Sequence, residues 1–178
     1  TVAGESAIPL ARLPIERVYL EPADVQAYPP ALRAILEADL IVAGPGSLFT
    51  SILPNLLVED ITRAILATTA LKVHICNVAT QRGETEGFGV EDHIKAIERH
   101  TQPQIFPFIL VNDNIHEQPG PDWNFTQIQF DSTNSTSYQL ITADVVDNAH
   151  PWRHDPQKLA PALMRWYEQQ QVHKPNAS

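Results

Sequence analysis

The chain has 178 residues, enough for one sizeable α/β domain with its own core. Hydrophobic residues make up 43% and charged residues 19%, which excludes a disordered, highly charged chain. A formal net charge of −9 and a pI near 5.1 leave no basic excess for a broad nucleic-acid surface, though a small anionic ligand needs only a local cluster of donors.

In chain order, residues 1–9 open without an initiator methionine and read as the interior of a longer sequence. Residues 15–20 (IERVYL) alternate and predict a strand. Pro29 and Pro30 sit where prolines favour the first turn of a helix, which continues through Leu32, Ile35 and Leu36. Residues 39–43 (DLIVA) are almost wholly apolar, as expected of a parallel strand covered on both faces. Residues 47–53 predict a short helical turn interrupted by Pro54, and residues 57–68 a longer helix with Val58, Ile61, Ile65 and Leu66 on one side. Residues 71–78 (LKVHICNV) form the next strand, and the single cysteine within it, Cys76, reads as a small buried hydrophobe. One cysteine also excludes an intramolecular disulfide and a thiolate zinc cluster. A polar loop over 80–89 leads into an amphipathic helix over 90–100, carried by Val90, Ile94 and Ile97. Residues 106–111 form another apolar strand. From 112 to 137 the composition turns to Asn, Pro, Gly, Ser and Thr, with a short strand at 126–130. Residues 138–146 resume strand character, 155–170 form a terminal helix with Asp155 as N-cap, and the last residues, 172–178, form a flexible tail. Strands alternating with helices imply right-handed crossovers and a largely parallel sheet. No apolar run approaches the roughly 20 residues that span a bilayer, and no signal peptide opens the chain, so a cytoplasmic location is expected.

In such sheets ligands settle beyond the carboxyl ends of the strands, where loops enter helices. Two loops qualify. In Gly44-Pro45-Gly46-Ser47 the glycines let backbone N–H groups approach an anion, Pro45 stiffens the turn, and Ser47, Thr50 and Ser51 add hydroxyls at a helix N-terminus. The same residues also suit a tight strand-to-helix turn capped by Ser47, with nothing bound. The loop is neither a Walker A motif nor a complete G-x-G-x-x-G fingerprint. The second loop, NVATQRGETEGF, places Asn77, Thr80, Gln81, Arg82, Glu84 and Thr85 at a strand end, with Gly83 and Gly87 freeing the backbone; a solvated surface loop is the plainer alternative. Arg153, ahead of the terminal helix, suits bidentate phosphate contact or stacking on a base. His74, His93 and His154 lack metal-ligand spacing, and His93 reads as a partly exposed helical residue. Nothing in the spacing nominates a catalytic Ser-His-Asp, Cys-His or paired-carboxylate group.

Several segments occur in an order that resembles one family. They are Gly4-Glu5-Ser6 with Ile8-Pro9, ADLIV running into GPGSLFTSILPNLLV, CNVATQRGETEGF followed by VEDHIKAI, and the terminal RHDPQKLA. Together they are similar to the YvcK group of gluconeogenesis factors, relatives of the CofD transferases, over most of residues 4–112 and again over 153–160. The resemblance implies a Rossmann-like three-layer α/β/α fold, of which this chain is the C-terminal part: a single domain over 1–171, N-terminally incomplete. It implies a cytoplasmic protein, plausible as a homodimer, that binds a UDP-sugar such as UDP-N-acetylglucosamine and regulates carbon metabolism, cell shape and wall synthesis. It assigns Gly44, Pro45, Gly46, Ser47 and Thr50 to the phosphate-side loop, Asn77, Thr80, Gln81 and Gly83 to the adjacent loop, and Arg153 to nucleotide-sugar contact. Over 113–137 the chain diverges, with Trp123 where the family places a tyrosine near a helical segment. The CofD relatives instead transfer a phospholactyl group to a deazaflavin precursor with a metal. For that alternative, Asp39, Asp60 or a carboxylate in the N-terminal half of the fold would hold Mg²⁺. A partner-docking domain is the third class.

Overall fold

Four short apolar runs form strands β1 (Leu40–Ala43), β2 (Leu71–Ile75), β3 (Phe108–Asn112) and β4 (Gln139–Ala143), and every neighbouring pair is parallel in the order β1-β2-β3-β4. The computed structural model describes residues 1–11, 13–115, 125–131 and 137–172, so Trp123 and nearly all of the expected tail lie outside the described residues. The helices are α1 (Pro29–Glu37), α2 (Leu53–Leu56), α3 (Glu59–Ala67), α4 (Val90–His100) and α5 (Pro156–Val172). Strand alternation divides the core between the two faces of the sheet. Val73, Ile75 and Leu110 pack with Val145, Ala162 and Trp166 under α5. Cys76, Ile109 and Val111 pack on the other face with Leu53, Ile65, Ile94 and Ile97 from α2, α3 and α4. The result is the expected α/β/α sandwich with a parallel sheet.

Local chemistry explains the element ends. Prolines open α1, and Glu59 and Asp60 place negative charge in the first turn of α3. The Asp92 carboxylate accepts from the Gly89 N–H at 2.9 Å to cap α4. Asp155 caps α5 as expected, its Oδ1 accepting from the Gln157 N–H at 2.8 Å.

Several expectations are corrected. Residues 15–20 run extended but join no ladder; Val18 is the one buried position among them, and its N–H donates to His100 Nε2 at 3.0 Å. The turn after β1 is a π-helical turn, Leu48–Ile52, and Pro54 sits in the first turn of α2 instead of interrupting a helix. The helix expected from residue 57 starts at Glu59, because Val58 is extended. Residues 126–130 form only a rib: Gln127 bridges Ala79 antiparallel, and the Ile128 N–H donates to the Val78 carbonyl. His93 is fully buried, with Phe88 edge-on to its ring at 5.6 Å. The loop over 80–89 is not a solvated surface either, since Gly83, Glu84 and Thr85 are buried.

Two core histidines have one nitrogen each committed to the backbone. His74 Nδ1 meets the Ala43 carbonyl at 3.0 Å and His93 Nδ1 the Gly89 carbonyl at 2.8 Å, so each donates there and leaves Nε2 as a bare, buried acceptor. Burial holds both below the ordinary histidine range, His74 at about 4, and the nearby His93 and His154 push His74 the same way. The unfolded chain therefore takes up a proton near pH 6.5 that the folded chain refuses until about pH 4. Stability is then complete above pH 6.5 and falls as the pH drops. From His74 alone the loss between pH 7.5 and 5 is about 2 kcal/mol. Urea unfolding across that range is expected to show it, and to show a smaller loss in His74→Asn; a flat profile would contradict the neutral, buried assignment.

Candidate functional site

Because all four strands are parallel, their carboxyl ends share one edge, and the loops after β1, β2 and β4 gather there. Gly44 lets the first loop lean onto β2. Its φ is +100°, and a Cβ there would lie 2.8 Å from the Ile75 carbonyl oxygen, so only glycine fits. The Asn77 amide then donates to the Gly46 carbonyl at 2.9 Å and to Gln81 Oε1 at 3.2 Å, pinning the two loops together. Pro45 follows through a cis peptide bond, and Gly46 packs closely on the Ser51 side chain, leaving Ser51 itself exposed.

Ser47 caps the π-helical turn: its Oγ accepts from the Thr50 N–H at 3.3 Å and from the Thr50 hydroxyl at 2.6 Å. The Ser47 hydroxyl proton goes to Glu84 Oε2, and Thr50 Oγ1 also lies 3.3 Å from Glu84 Oε1. Glu84 is only 8% exposed. Both hydroxyls expected to serve an incoming anion are thus turned toward a buried carboxylate. Among the described residues, no hydrogen bond ends on the amide N–H of Gly46 or Ser47, and these remain the donors of the loop.

The second loop is tied down from several sides. Thr80 exchanges hydrogen bonds with Thr126, through hydroxyl–hydroxyl contact at 3.2 Å and the Thr126 N–H to Thr80 Oγ1 at 3.0 Å. The Gln81 N–H donates to Thr85 Oγ1 at 2.8 Å. Gly83 has φ +80°, and a Cβ there would come within 2.0 Å of the Pro9 carbonyl oxygen, so the N-terminal segment crosses directly over it. Its N–H donates to Glu86, which holds that carboxyl below its ordinary range. A cavity of about 870 Å³ opens between residues 1–23 of that segment and Phe49, Thr50 and Pro54.

Arg153 sits on the loop after β4, which His154 fastens to the end of β2 through its Nε2 and the Cys76 carbonyl at 3.2 Å. The guanidinium turns to Asp147, with Nε at 2.9 Å, and to His150, and it is 59% exposed. That bond holds the Asp147 carboxyl at about 2. The structure thus brings Gly44, Pro45, Gly46, Ser47, Thr50, Asn77, Thr80, Gln81 and Gly83 into one assembly, and leaves Arg153 beside it with its own carboxylate partner.

Sequence reasoning named Glu84 among the polar residues of the second loop but gave it no part in the ligand-binding set. Its signal was a carboxylate between Gly83 and Thr85 in a loop facing two hydroxyls, visible only once the loops were known to meet. Cys76 is buried, its thiol pushed up to about 12 by desolvation, which suits packing and not nucleophilic attack. The two carboxylates named for Mg²⁺ do not fit. Asp39 precedes β1 and lies at the opposite edge of the sheet, and Asp60 is engaged with Arg63 at 2.8 Å. Among the described residues no group of three or more His, Cys, Asp or Glu side chains is placed to hold a metal.

Comparisons with known proteins agree with this architecture. A family model described as 2-phospho-L-lactate transferase CofD matches residues 1–171. A gluconeogenesis factor from Listeria innocua is 52% identical over 111 residues, covering 62% of this chain and 34% of that protein. A relative from Nostoc sp. is 39% identical over 175 residues, covering 93% of this chain and 38% of its own length. The crystal structure of a UPF0052 family member from Bacillus halodurans superimposes with a TM-score of 0.81 at 40% identity, over 92% of this chain and 55% of that one. The chain therefore spans about half the length of that structure and less of those two relatives.

The two positive-φ glycines of the second loop separate packing from backbone strain. Gly87→Ala has open space for its Cβ and is expected to cost about 1 kcal/mol from φ alone. Gly83→Ala must also displace the Pro9 backbone, and its loss in urea unfolding is expected to be at least about twice as large. Equal losses would mean the N-terminal segment does not press on Gly83.

Proposed function

The chain belongs to the CofD family, and from that premise we propose that it is a cytoplasmic nucleotide-sugar-binding regulatory protein, taking a ligand of the UDP-N-acetylglucosamine type. The carrying observation is the preformed Gly44–Asn77 junction: two free amide N–H groups in a loop folded onto the carboxyl end of β2, beside side chains suited to hydrogen bonding. A diphosphate would lie against the Gly46 and Ser47 amides, while Asn77 and Gln81 keep the loop in its bound shape. The π-helical turn after Ser47 has only five residues, so local amides, not a long helix dipole, supply the attraction. Arg153 would reach the ligand by exchanging Asp147 for phosphate, a swap between two anionic partners of similar geometry.

The relatives' name, gluconeogenesis factor, supports a regulatory place in carbon metabolism. Roles in cell shape and wall synthesis, and a homodimeric state, belong to the same proposal. No helix among the described residues is long and apolar enough to cross a membrane, in keeping with a cytoplasmic site of action.

A second reading, metal-dependent phospholactyl transfer, is favoured by membership of the 2-phospho-L-lactate transferase family. It needs metal ligands other than Asp39 and Asp60.

Titration calorimetry of the full-length protein with UDP-N-acetylglucosamine is expected to give saturable heat, with affinity weakened about tenfold by Arg153→Ala. Absence of saturable heat would overturn the binding proposal. Mg²⁺-dependent formation of a phospholactyl product from a guanylylated phospholactate donor and a deazaflavin acceptor would replace it with the transferase reading.

A further inference from the structure

The anion loop has a carboxylate built into its floor. Glu84 is nine-tenths buried, and among the described residues no Lys or Arg pairs with it. Its side-chain partners among the described residues are the hydroxyls of Ser47 and Thr50. A buried carboxylate is costly to keep ionised without donors around both oxygens, and it has about four acceptor positions to fill. Two hydroxyls leave some of them open.

Those hydrogen bonds also fix the polarity of the surrounding groups. Ser47 gives its one proton to Glu84 and accepts twice from Thr50, so it has none for a phosphate oxygen. Thr50 has one proton, shared between Ser47 and Glu84. The site is therefore split: amide donors at Gly46 and Ser47 on one side, and a negatively charged acceptor with two saturated hydroxyls on the other. A bare phosphate meets the donors and the repulsion together. Thr50 additionally borders the 870 Å³ cavity under the N-terminal segment, so the acceptor side adjoins space for a larger group.

We propose that Glu84 is a specificity determinant that selects a phosphate-linked polyol over a bare phosphate, accepting a hydrogen bond from a ligand hydroxyl or amide N–H while the phosphate lies on the Gly46 and Ser47 amides. This rests on the ligand-binding reading above and adds to it the chemical class required next to the phosphate. A site that pairs a buried polar group with a ligand donor penalises ligands lacking that donor far more than it rewards bulk, because the protein group is then left unsatisfied. The same carboxylate repels an anion without a donor of its own.

The test compares UDP-N-acetylglucosamine with inorganic pyrophosphate by titration calorimetry on the full-length protein, in EDTA. The ratio of the two dissociation constants is the readout. Glu84→Gln removes the charge and turns one acceptor into a donor, and it is expected to shrink the preference for the sugar nucleotide by about tenfold or more, weakening that ligand and tightening pyrophosphate. Glu84→Asp keeps the charge but withdraws it from the ligand. It is expected to weaken only the sugar nucleotide, and it serves if the glutamine variant does not fold. A ratio unchanged within about twofold, with both affinities equal to wild type or falling together, would mean Glu84 only braces the loop and would overturn the proposal. Collapse of the wild-type preference in EDTA and its return with Mg²⁺ would also overturn it, by making Glu84 a cation ligand. If wild type binds pyrophosphate but not the sugar nucleotide, the nucleotide-sugar reading fails and this one with it. If wild type binds both and the variants keep the ratio, this inference alone fails.

Discussion

Gly44, Ile75, Asn77 and Gly46 make one small junction on which the candidate site depends. A parallel sheet sets the ends of β1 and β2 side by side, but that alone leaves their loops free to diverge. Here the missing Cβ of Gly44 lets the first loop settle against the Ile75 carbonyl, and Asn77 reaches back to the Gly46 carbonyl. Ser47 and Thr50 are then delivered to Glu84, which fixes the second loop; the second loop offers Gly83 as a flat seat for the Pro9 backbone. A disturbance at the junction is passed to the N-terminal segment through contacts that have little slack.

Among the described residues, several of the buried polar groups sit in or next to the loops at the carboxyl edge of the sheet. His74 and His93 lie under the loops with a nitrogen each left bare, Glu84 lies within them, and His154 joins the β4 loop to the β2 end. Groups of this kind specify one arrangement, because each is satisfied only when the others are in place. The apolar layers under α4 and α5 provide the cohesion, and the polar edge determines how the loops are set.

Much of the architecture was legible in the sequence because it rests on periodicity. Helix α4 runs over the residues its 3.6-residue pattern marks, and the apolar runs at 71–75 and 108–112 became largely buried parallel strands; the run at 40–43, expected to be covered on both faces, is instead the edge strand of the described sheet, with none of its residues buried and Val42 exposed. Residues 15–20 misled because alternation was taken for pairing, whereas Val18 makes its bond to a histidine side chain. The two site loops were legible as candidates through their glycines. What the glycines were for was not: Gly83 makes room for a segment more than seventy positions away, a relation no local pattern carries. The burial of Glu84 and His93 escaped for the same reason, since polar residues in a turn or on a helix look solvated until the packing of distant chain shows otherwise.

The strand order β1-β2-β3-β4 bears on how the molecule is made. Each new strand pairs with the one synthesised before it, so every crossover can dock on an existing edge as it leaves the ribosome, without waiting for a later strand to be inserted between two earlier ones. The β1–β2 pair, with its connecting helices, can carry the Gly44–Asn77 junction before α5 has been translated. The terminal helix then covers the remaining face and brings Arg153 to the edge last. Biosynthesis in this order sets up the Gly44–Asn77 junction before the loop that carries Arg153.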